Sequence, residues 1–371
     1  MSRNIALIGQ GFMGRAHMQA YHNLPLFFPK CEPPRLKVLC GVGEDLERKA
    51  AEYGFEEWEP DYRRVVCRPD VDVVDICTTD DTHKEIAVLA ASAGKHVICE
   101  KPMSRTLDEA SETAEAARKA GITHMVNFVY RAVPAVRLAK EIIDAGKIGE
   151  IYHFNCSYKQ DFCLDPDVPF GWRMDAEKAG GGTMADKGSH MIDMARYLVG
   201  EFSEVSCRAK VYIHERRLPN SAEVRQVTSN DASVFAAEFA NGAIGVFQAS
   251  GIAAGEKNAL TFELYGSKGS VKFNLEQLNE LQVYFAGDDP QGFRSVMVTE
   301  KSHPYMSHWW PEGHVIGWQN LFVHQVYEFF TAIGTGRAAV PDFADGLRCQ
   351  EVVDALIRSD REKRWVGVNR L

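Results

Sequence analysis

Ile5-Ala6-Leu7-Ile8-Gly9-Gln10-Gly11-Phe12-Met13-Gly14 decides how the first part of the chain is read. Four apolar residues run straight into three glycines, and a helical pattern opens at the third. The first glycine permits a tight turn, the second lets backbone approach a pyrophosphate, and the third lets the helix pack closely on the strand. The free N–H groups of the helix then face the phosphates. Taken alone, such a glycine turn also occurs where nothing binds; its place directly after an N-terminal strand favours the binding reading. Gly9, Gly11, Phe12, Met13 and Gly14 are therefore candidate contacts to a dinucleotide.

The sequence beyond Gly14 supports this. Leu36–Val42, Val71–Cys77, His96–Cys99 and His124–Val129 read as further strands, and Asp45–Tyr53, Thr82–Ala93 and Thr106–Ala120 have helical length and composition. Alternation of this kind needs crossover connections, so a parallel, doubly wound α/β sheet is expected, with ligands beyond the carboxyl ends of the strands. The second strand of such a sheet usually ends in an acidic residue that bonds the ribose hydroxyls. Here the position falls on Gly43, 29 residues past Gly14, against a spacing of about 20. A Pro-rich insertion, Asn23–Arg35, accounts for the excess. Glu44 is the candidate that selects NAD, or else, with Asp45, it charges the next helix N-terminus. No Arg directly follows the strand to hold a 2′-phosphate. NAD is expected, with NADP not excluded.

The pattern changes after Val129. Pro134–Ala145 reads as an amphipathic helix closed by Gly146, and Ile151–Tyr158 alternates, with Tyr152, Phe154, Cys156 and Tyr158 on one face. Ser233–Phe239, Ala243–Gln248, Leu260–Tyr265 and Ser270–Leu275 read as strands joined by glycine turns, among them Asn241-Gly242, a hairpin signal. Two late helices are expected near His324–Ile333 and Asp345–Arg358. The division is thus 1–130, a dinucleotide-binding domain, and 131–371, an α+β domain on a large, mostly antiparallel open sheet.

Composition sets the outer bounds. Within 371 residues, 45% are apolar and 25% charged, enough for two cores, which excludes disorder and collagen-like architecture. The net charge of −9, with no Lys/Arg-rich block, argues against a nucleic-acid partner. No run of about 20 apolar residues spans a membrane. Nine cysteines, an odd number without a Cys-x-x-Cys, read as reduced thiols, and the short apolar start reads as a strand rather than a signal peptide. A cytoplasmic protein is expected.

Two further stretches carry chemistry. His96–Cys99 runs into Glu100-Lys101-Pro102, placing Lys101 at a strand's carboxyl end. Downstream, Gly180-Gly181-Gly182-Thr183-Met184-Ala185-Asp186-Lys187-Gly188-Ser189-His190 enters a helix on which Asp186 and His190, four apart, share a face. Gly180–Gly182 would let backbone come near a ligand. Oxidation of an alcohol needs a proton acceptor that titrates near neutrality, a role for His190. Lys101 can stabilise the charge developing on the reacting oxygen, and Asp186 can orient the substrate or the imidazole. Each residue alone is an ordinary surface charge or helix-face pair. A metal site on Asp186 and His190 lacks a third ligand at a recognisable spacing, so none is expected.

Together these motifs, in this order and over nearly the whole chain, resemble the glucose–fructose oxidoreductase/inositol dehydrogenase/MocA (Gfo/Idh/MocA) family. The resemblance implies a Rossmann domain followed by an open-sheet domain that binds substrate and mediates oligomerisation. It implies Lys101, Asp186 and His190 as the catalytic trio, with His190 as acid/base. Where the family often has Thr-Pro-Asn, this chain has Thr78-Thr79-Asp80; Thr78, Asp80, His83 and Glu100 remain candidate cofactor neighbours. Phe128-Val129-Tyr130-Arg131, Trp172-Arg173-Met174-Asp175 and Trp309-Trp310-Pro311-Glu312-Gly313-His314 look like the branch of levoglucosan and glycoside 3-dehydrogenases. Aromatic loops suit a sugar, whose C–H face packs on rings. Tyr130, Trp172, Arg173 and His314 are accordingly candidate substrate contacts, though tryptophans serve equally in cores and subunit interfaces. The resemblance implies NAD-dependent oxidation of a secondary hydroxyl of a sugar, glycoside or cyclitol, giving a keto-sugar with carbon 3 the expected position, by a homodimer or homotetramer. An NADPH-linked keto-sugar reductase and a non-catalytic nicotinamide-binding sensor are the alternatives.

Overall fold

The computed structural model describes residues 2–368 and divides into two compact units: the chain to Val129 with Gly317–Arg348, and Tyr130–Ile316 with the chain from Cys349. The first unit carries β1 (Asn4–Ile8), β2 (Arg35–Cys40), β3 (Glu57–Glu59), β4 (Val73–Ile76), β5 (His96–Cys99) and β6 (His124–Val126). They pair in parallel in the order β3-β2-β1-β4-β5-β6, the doubly wound order with its switch point beside β1. Helices α1 (Phe12–Phe27), α2 (Leu46–Tyr53), α3 (Tyr62–Val66), α4 (Asp80–Ser92) and α5 (Leu107–Ala120) connect them. Strands covered on both faces are largely apolar, and β4 is buried at every position, Asp75 included, so that its carboxylate needs partners inside the fold.

Three local readings change. β3 and α3 were not foreseen, because Glu57-Trp58-Glu59 has no apolar run; it survives as an edge strand on Val38–Cys40. The supposed insertion from Asn23 begins as the last turn of α1, which continues through Pro25 to Phe27. The segment after 316, expected in the second domain, packs with the first: α10 (Asn320–Thr335) lies on α1. Aromatic contacts explain it, with Phe28 stacked on Tyr327 at 4.3 Å and Phe12 on Trp318 at 5.4 Å.

In the second unit, β7 (Ile151–Lys159), β8 (Phe202–Lys210), β11 (Ala232–Phe239), β12 (Ile244–Ser250), β13 (Ala259–Gly266), β14 (Gly269–Asn274), β15 (Glu280–Phe285), β16 (Arg294–Met297) and β17 (Val366–Gly367) make a nine-stranded sheet. Strands β9 (Glu215–Arg217) and β10 (Val224–Gln226) form a separate ribbon. The order β16-β15-β14-β13-β7-β12-β11-β8-β17 is antiparallel except for β7 beside β12. Asn241-Gly242 turns the β11–β12 hairpin as read from the sequence, with Gly242 at φ +87°.

One face of this sheet is a phenylalanine layer: Phe235 stacks on Phe247 at 4.4 Å, and Phe154 on Phe262 at 5.8 Å. Each such ring, fully buried, contributes on the order of 1.5–3 kcal/mol. Helices α6 (Pro134–Asp144), α7 (Ala176–Ala179), α8 (Thr183–Asp186) and α9 (Gly188–Leu198) belong to this unit, and α6, α8 and α9 pack on the sheet. Helix α11 (Phe343–Glu362) begins within the first unit and continues in the second. Tyr152, read on one face of β7 with Phe154, Cys156 and Tyr158, is half-exposed where those three are buried. The opposite face leaves Val234, Ile244 and Val246 at least half exposed.

Candidate active site

In the first unit the turn after β1 is shaped by backbone. Gly9 has φ +112°, and a β-carbon there would lie 2.4 Å from the Cys77 carbonyl oxygen; at Gly14 it would lie 2.0 Å from that of Gly9. A β-carbon on Gly11 would meet nothing within 4 Å, so the backbone there faces open space. Gly11 also caps α1, where no side chain satisfies the free N–H groups and no acidic residue occupies the first turn. An anion is what such an end accepts. Phe12 is exposed, whereas Met13 packs against the cluster of Leu7, Leu39 and Cys77 and so behaves largely as a core residue.

At the end of β2, Gly43 sits at φ +101° and Glu44 is exposed. Sequence reasoning overlooked Gln10 here. Its amide nitrogen donates to the Val42 carbonyl, leaving Oε1 buried with no hydrogen-bond partner, an unfilled acceptor where this fold takes ribose hydroxyls.

Beyond β4, Thr78 is half-buried and accepts from Thr82, while Asp80 is buried in the first turn of α4. His83 is fully buried, with ring nitrogens 2.9 Å from the Pro102 carbonyl and 3.2 Å from that of Thr78, so its ring is committed to the protein backbone. Burial pushes its pKa down, and the neutral ring donates to one of these carbonyls. Its work is to pin the chain after Lys101. Lys101 itself follows β5 half-buried, and its peptide bond to Pro102 is cis.

Glu100, offered as a cofactor neighbour, is likewise only 4% exposed. Its Oε1 lies 2.9 Å from His17 Nε2 and also accepts from Asn127, and its Oε2 accepts the Lys101 backbone N–H at 3.2 Å. His17, Asp75 and Asn127 were missed. His17 stands three residues past the last glycine of the fingerprint, where only its place on the buried face of α1 could have flagged it.

In the second unit Asp186 and His190 do not share one helix, as their spacing suggested: Asp186 ends α8 and His190 lies in α9, with Lys187 between them. The glycine run also has another use. Gly180 and Gly182 have φ +58° and +61°, and a β-carbon on Gly182 would meet Asn230 Nδ2 at 2.7 Å. The chain hugs Asn230, which donates to the Gly181 carbonyl and accepts from the Thr183 backbone.

Asp186 lies 3.1 Å from the ammonium of Lys187, itself only 2% exposed, and 3.7 Å from the Arg173 guanidinium. Arg173 in turn stacks on Trp172 at 4.3 Å. His190 is 6% exposed, its ring 4.5 Å from that of Tyr130 and 5.7 Å from that of Tyr158. The Tyr158 hydroxyl donates to Asn258 Oδ1 at 2.7 Å, so the 2.9 Å contact between the two tyrosines has Tyr130 as donor. Burial, with the Tyr130 hydroxyl beside it, pushes the Tyr158 phenol well above its usual range. The unit thus gathers Tyr130, His190, Asp186, Arg173 and Trp172, and adds Tyr158 and Lys187. His314 stands on an exposed loop, its Nδ1 2.9 Å from the Pro311 carbonyl.

A parallel sheet in this order, with a bare helix terminus and an open glycine at its first turn, defines a dinucleotide-binding protein. The residues fit NAD: the turn from Gly9 to Gly14 would hold its pyrophosphate, and Gln10 Oε1 is free for a hydroxyl. Residues 3–128 match the oxidoreductase family with NAD-binding Rossmann fold, and residues 136–272 match the GFO/IDH/MocA C-terminal domain; the chain belongs to this family of oxidoreductases. It is 42% identical to levoglucosan dehydrogenase of Pseudarthrobacter phenanthrenivorans, over 98% of each chain. A solved structure of levoglucosan dehydrogenase in complex with NADH superposes with a TM-score of 0.97 at 42% identity, covering 100% of both chains. An oxidoreductase domain protein from Kribbella flavida gives the same TM-score at 44% identity, again over 100% of both. The chain is an NAD-binding oxidoreductase and a homologue of levoglucosan dehydrogenase.

Proposed function

We propose that this protein oxidises a secondary hydroxyl of a sugar, glycoside or cyclitol, with levoglucosan the first substrate to test, and that Lys101, Asp186 and His190 carry the reaction. The observation behind it is His190, an imidazole packed against two tyrosine rings in the unit that also holds Asp186 between two cations. NAD, when bound, takes up the hydride leaving the carbinol carbon. A ring nitrogen of His190 accepts the hydroxyl proton. The Lys101 ammonium donates to the reacting oxygen as charge grows on it. Asp186, oriented by Lys187 and Arg173, accepts from a neighbouring hydroxyl. Tyr130, whose hydroxyl donates to Tyr158, has lone pairs left to accept from another. Trp172 and Arg173 offer a ring and a donor. His314, whose Nδ1 is engaged with the Pro311 carbonyl, keeps Nε2 for a substrate hydroxyl.

The nine cysteines, all free thiols, support a reducing, cytoplasmic setting. No helix among the described residues is long and apolar enough to cross a membrane. The bare valine and isoleucine face of the nine-stranded sheet supports a homodimer or homotetramer.

NADH formation on levoglucosan, glucosides and cyclitols tests the activity. Lys101→Ala and His190→Ala should each lower kcat by about 10²–10⁴-fold. Near-native turnover in either variant overturns the assignment.

A further inference from the structure

Behind the Glu100-Lys101-Pro102 turn lies a cluster that the reaction does not touch. His17 comes from α1, Asp75 from β4, Glu100 from the end of β5 and Asn127 from just beyond β6; none is more than 4% exposed. His17 Nδ1 lies 3.0 and 2.8 Å from the two Asp75 oxygens, and Nε2 lies 2.9 Å from Glu100 Oε1. Tyr21 donates to Asp75 Oδ2 at 2.6 Å. Cys77 and the Phe322 ring complete the surroundings, at 3.6 Å from Asp75 Oδ1 and 5.5 Å from the imidazole.

The distances set the proton count. A neutral ring that donates to Asp75 from Nδ1 would aim its Nε2 lone pair at an ionised Glu100 oxygen, which is repulsive at 2.9 Å. A second ring proton turns that contact into a hydrogen bond, which favours an imidazolium between two carboxylates; Asn127 Nδ2 also lies 2.9 Å from Nε2. The local electrostatics agree. Burial, the largest single effect, disfavours the charged ring, yet the Asp75 carboxylate and Cys77 together outweigh it and hold His17 well above the usual imidazole range. Burial likewise disfavours ionised Glu100, yet hydrogen bonds from His17 and Asn127 hold it below the usual carboxylate range.

Glu100 has one oxygen on this cluster and the other on the Lys101 backbone N–H. We propose that His17 is a positioning residue for Lys101: its doubly donating ring fixes Glu100, and Glu100 fixes the start of the turn that presents the ammonium. This rests on the reading of Lys101 as a group that touches substrate.

Two full-length variants test it. In His17→Gln, kcat should fall tenfold or more while NADH affinity, followed by fluorescence, stays within threefold. In Asp75→Asn the imidazolium loses one of its two counter-charges and keeps only Glu100, so His17 should give up its proton within the neutral range. The ratio of variant to wild-type kcat should then fall at least tenfold as pH rises from about 6 to about 8, recovering on return. A role confined to folding would lower melting temperature and leave that ratio flat.

Lysines ¹³C-methylated for NMR give a readout free of turnover. The resonance missing from Lys101→Ala reports Lys101, and in Asp75→Asn it should shift with pH over the same window. A flat ratio, or a resonance that does not move, overturns the proposal even if His17→Gln does not fold. Should the wild type oxidise none of the sugars, the substrate reading fails, and the resonance still decides the role of His17.

Discussion

The six-stranded and nine-stranded sheets bury their residues in different ways. In the first, β1 and β4 are buried at nearly every position, because helices cover both faces. In the second, β11 and β12 alternate between buried and exposed, because helices cover one face and the chain leaves the other bare. The difference decides where chemistry can be placed. A sheet covered on both sides has only its strand ends to offer, and Gly9, Thr78 and Lys101 all stand there. A sheet covered on one side can carry reactive groups on the covering helices, and Asp186 and His190 lie on α8 and α9.

The contrast can be broken in three places. The covered face of the nine-stranded sheet should be the most sensitive: Phe247→Ala, removing a fully buried ring of the phenylalanine layer, should cost about 3–5 kcal/mol in urea unfolding. A cost below about 1 kcal/mol would mean that the layer is not the core. Next comes the first turn of the six-stranded sheet, where Gly14→Ala sets a methyl against backbone. NADH dissociation, measured by fluorescence, should weaken about a hundredfold, roughly 2.7 kcal/mol. Unchanged affinity would separate the glycine turn from cofactor binding. The bare face should respond least in the single chain: Val246→Glu should change its stability by less than about 0.5 kcal/mol. Sedimentation velocity should nevertheless show a smaller particle than the wild type, and an unchanged size would take this face out of the assembly.

The same contrast explains what could be read in advance. Strand ends in a parallel sheet carry residues that the core does not need, so three glycines and a Glu-Lys-Pro stood out against apolar runs, and the parallel order followed from alternation. Glu57–Glu59 stayed hidden because an edge strand needs little apolar content. The buried cluster behind Lys101 was also illegible, since His17, Asp75 and Asn127 come together only when α1, β4 and β6 are folded. In the second unit, the motif around Asp186 and His190 was visible, but its glycines were credited to a ligand when they serve Asn230. Tyr158 was recognised as a strand-face residue, and its alternation did not disclose that its hydroxyl fixes the direction of the Tyr130 proton. His83, a histidine beside a candidate site, invited a contact role, and nothing in the sequence disclosed that its ring is buried against two backbone carbonyls.

The return of α10 to the first unit has a practical consequence for anyone who would cut or exchange parts of this enzyme. The polypeptide passes from one unit to the other three times, after Val129, after Ile316 and after Arg348. A fragment ending at Val129 would strip the aromatic neighbours from Phe12, Tyr21 and Phe28 and leave a greasy helix facing water. A chimaera meant to transplant the coenzyme-binding half must therefore bring two separate pieces of gene.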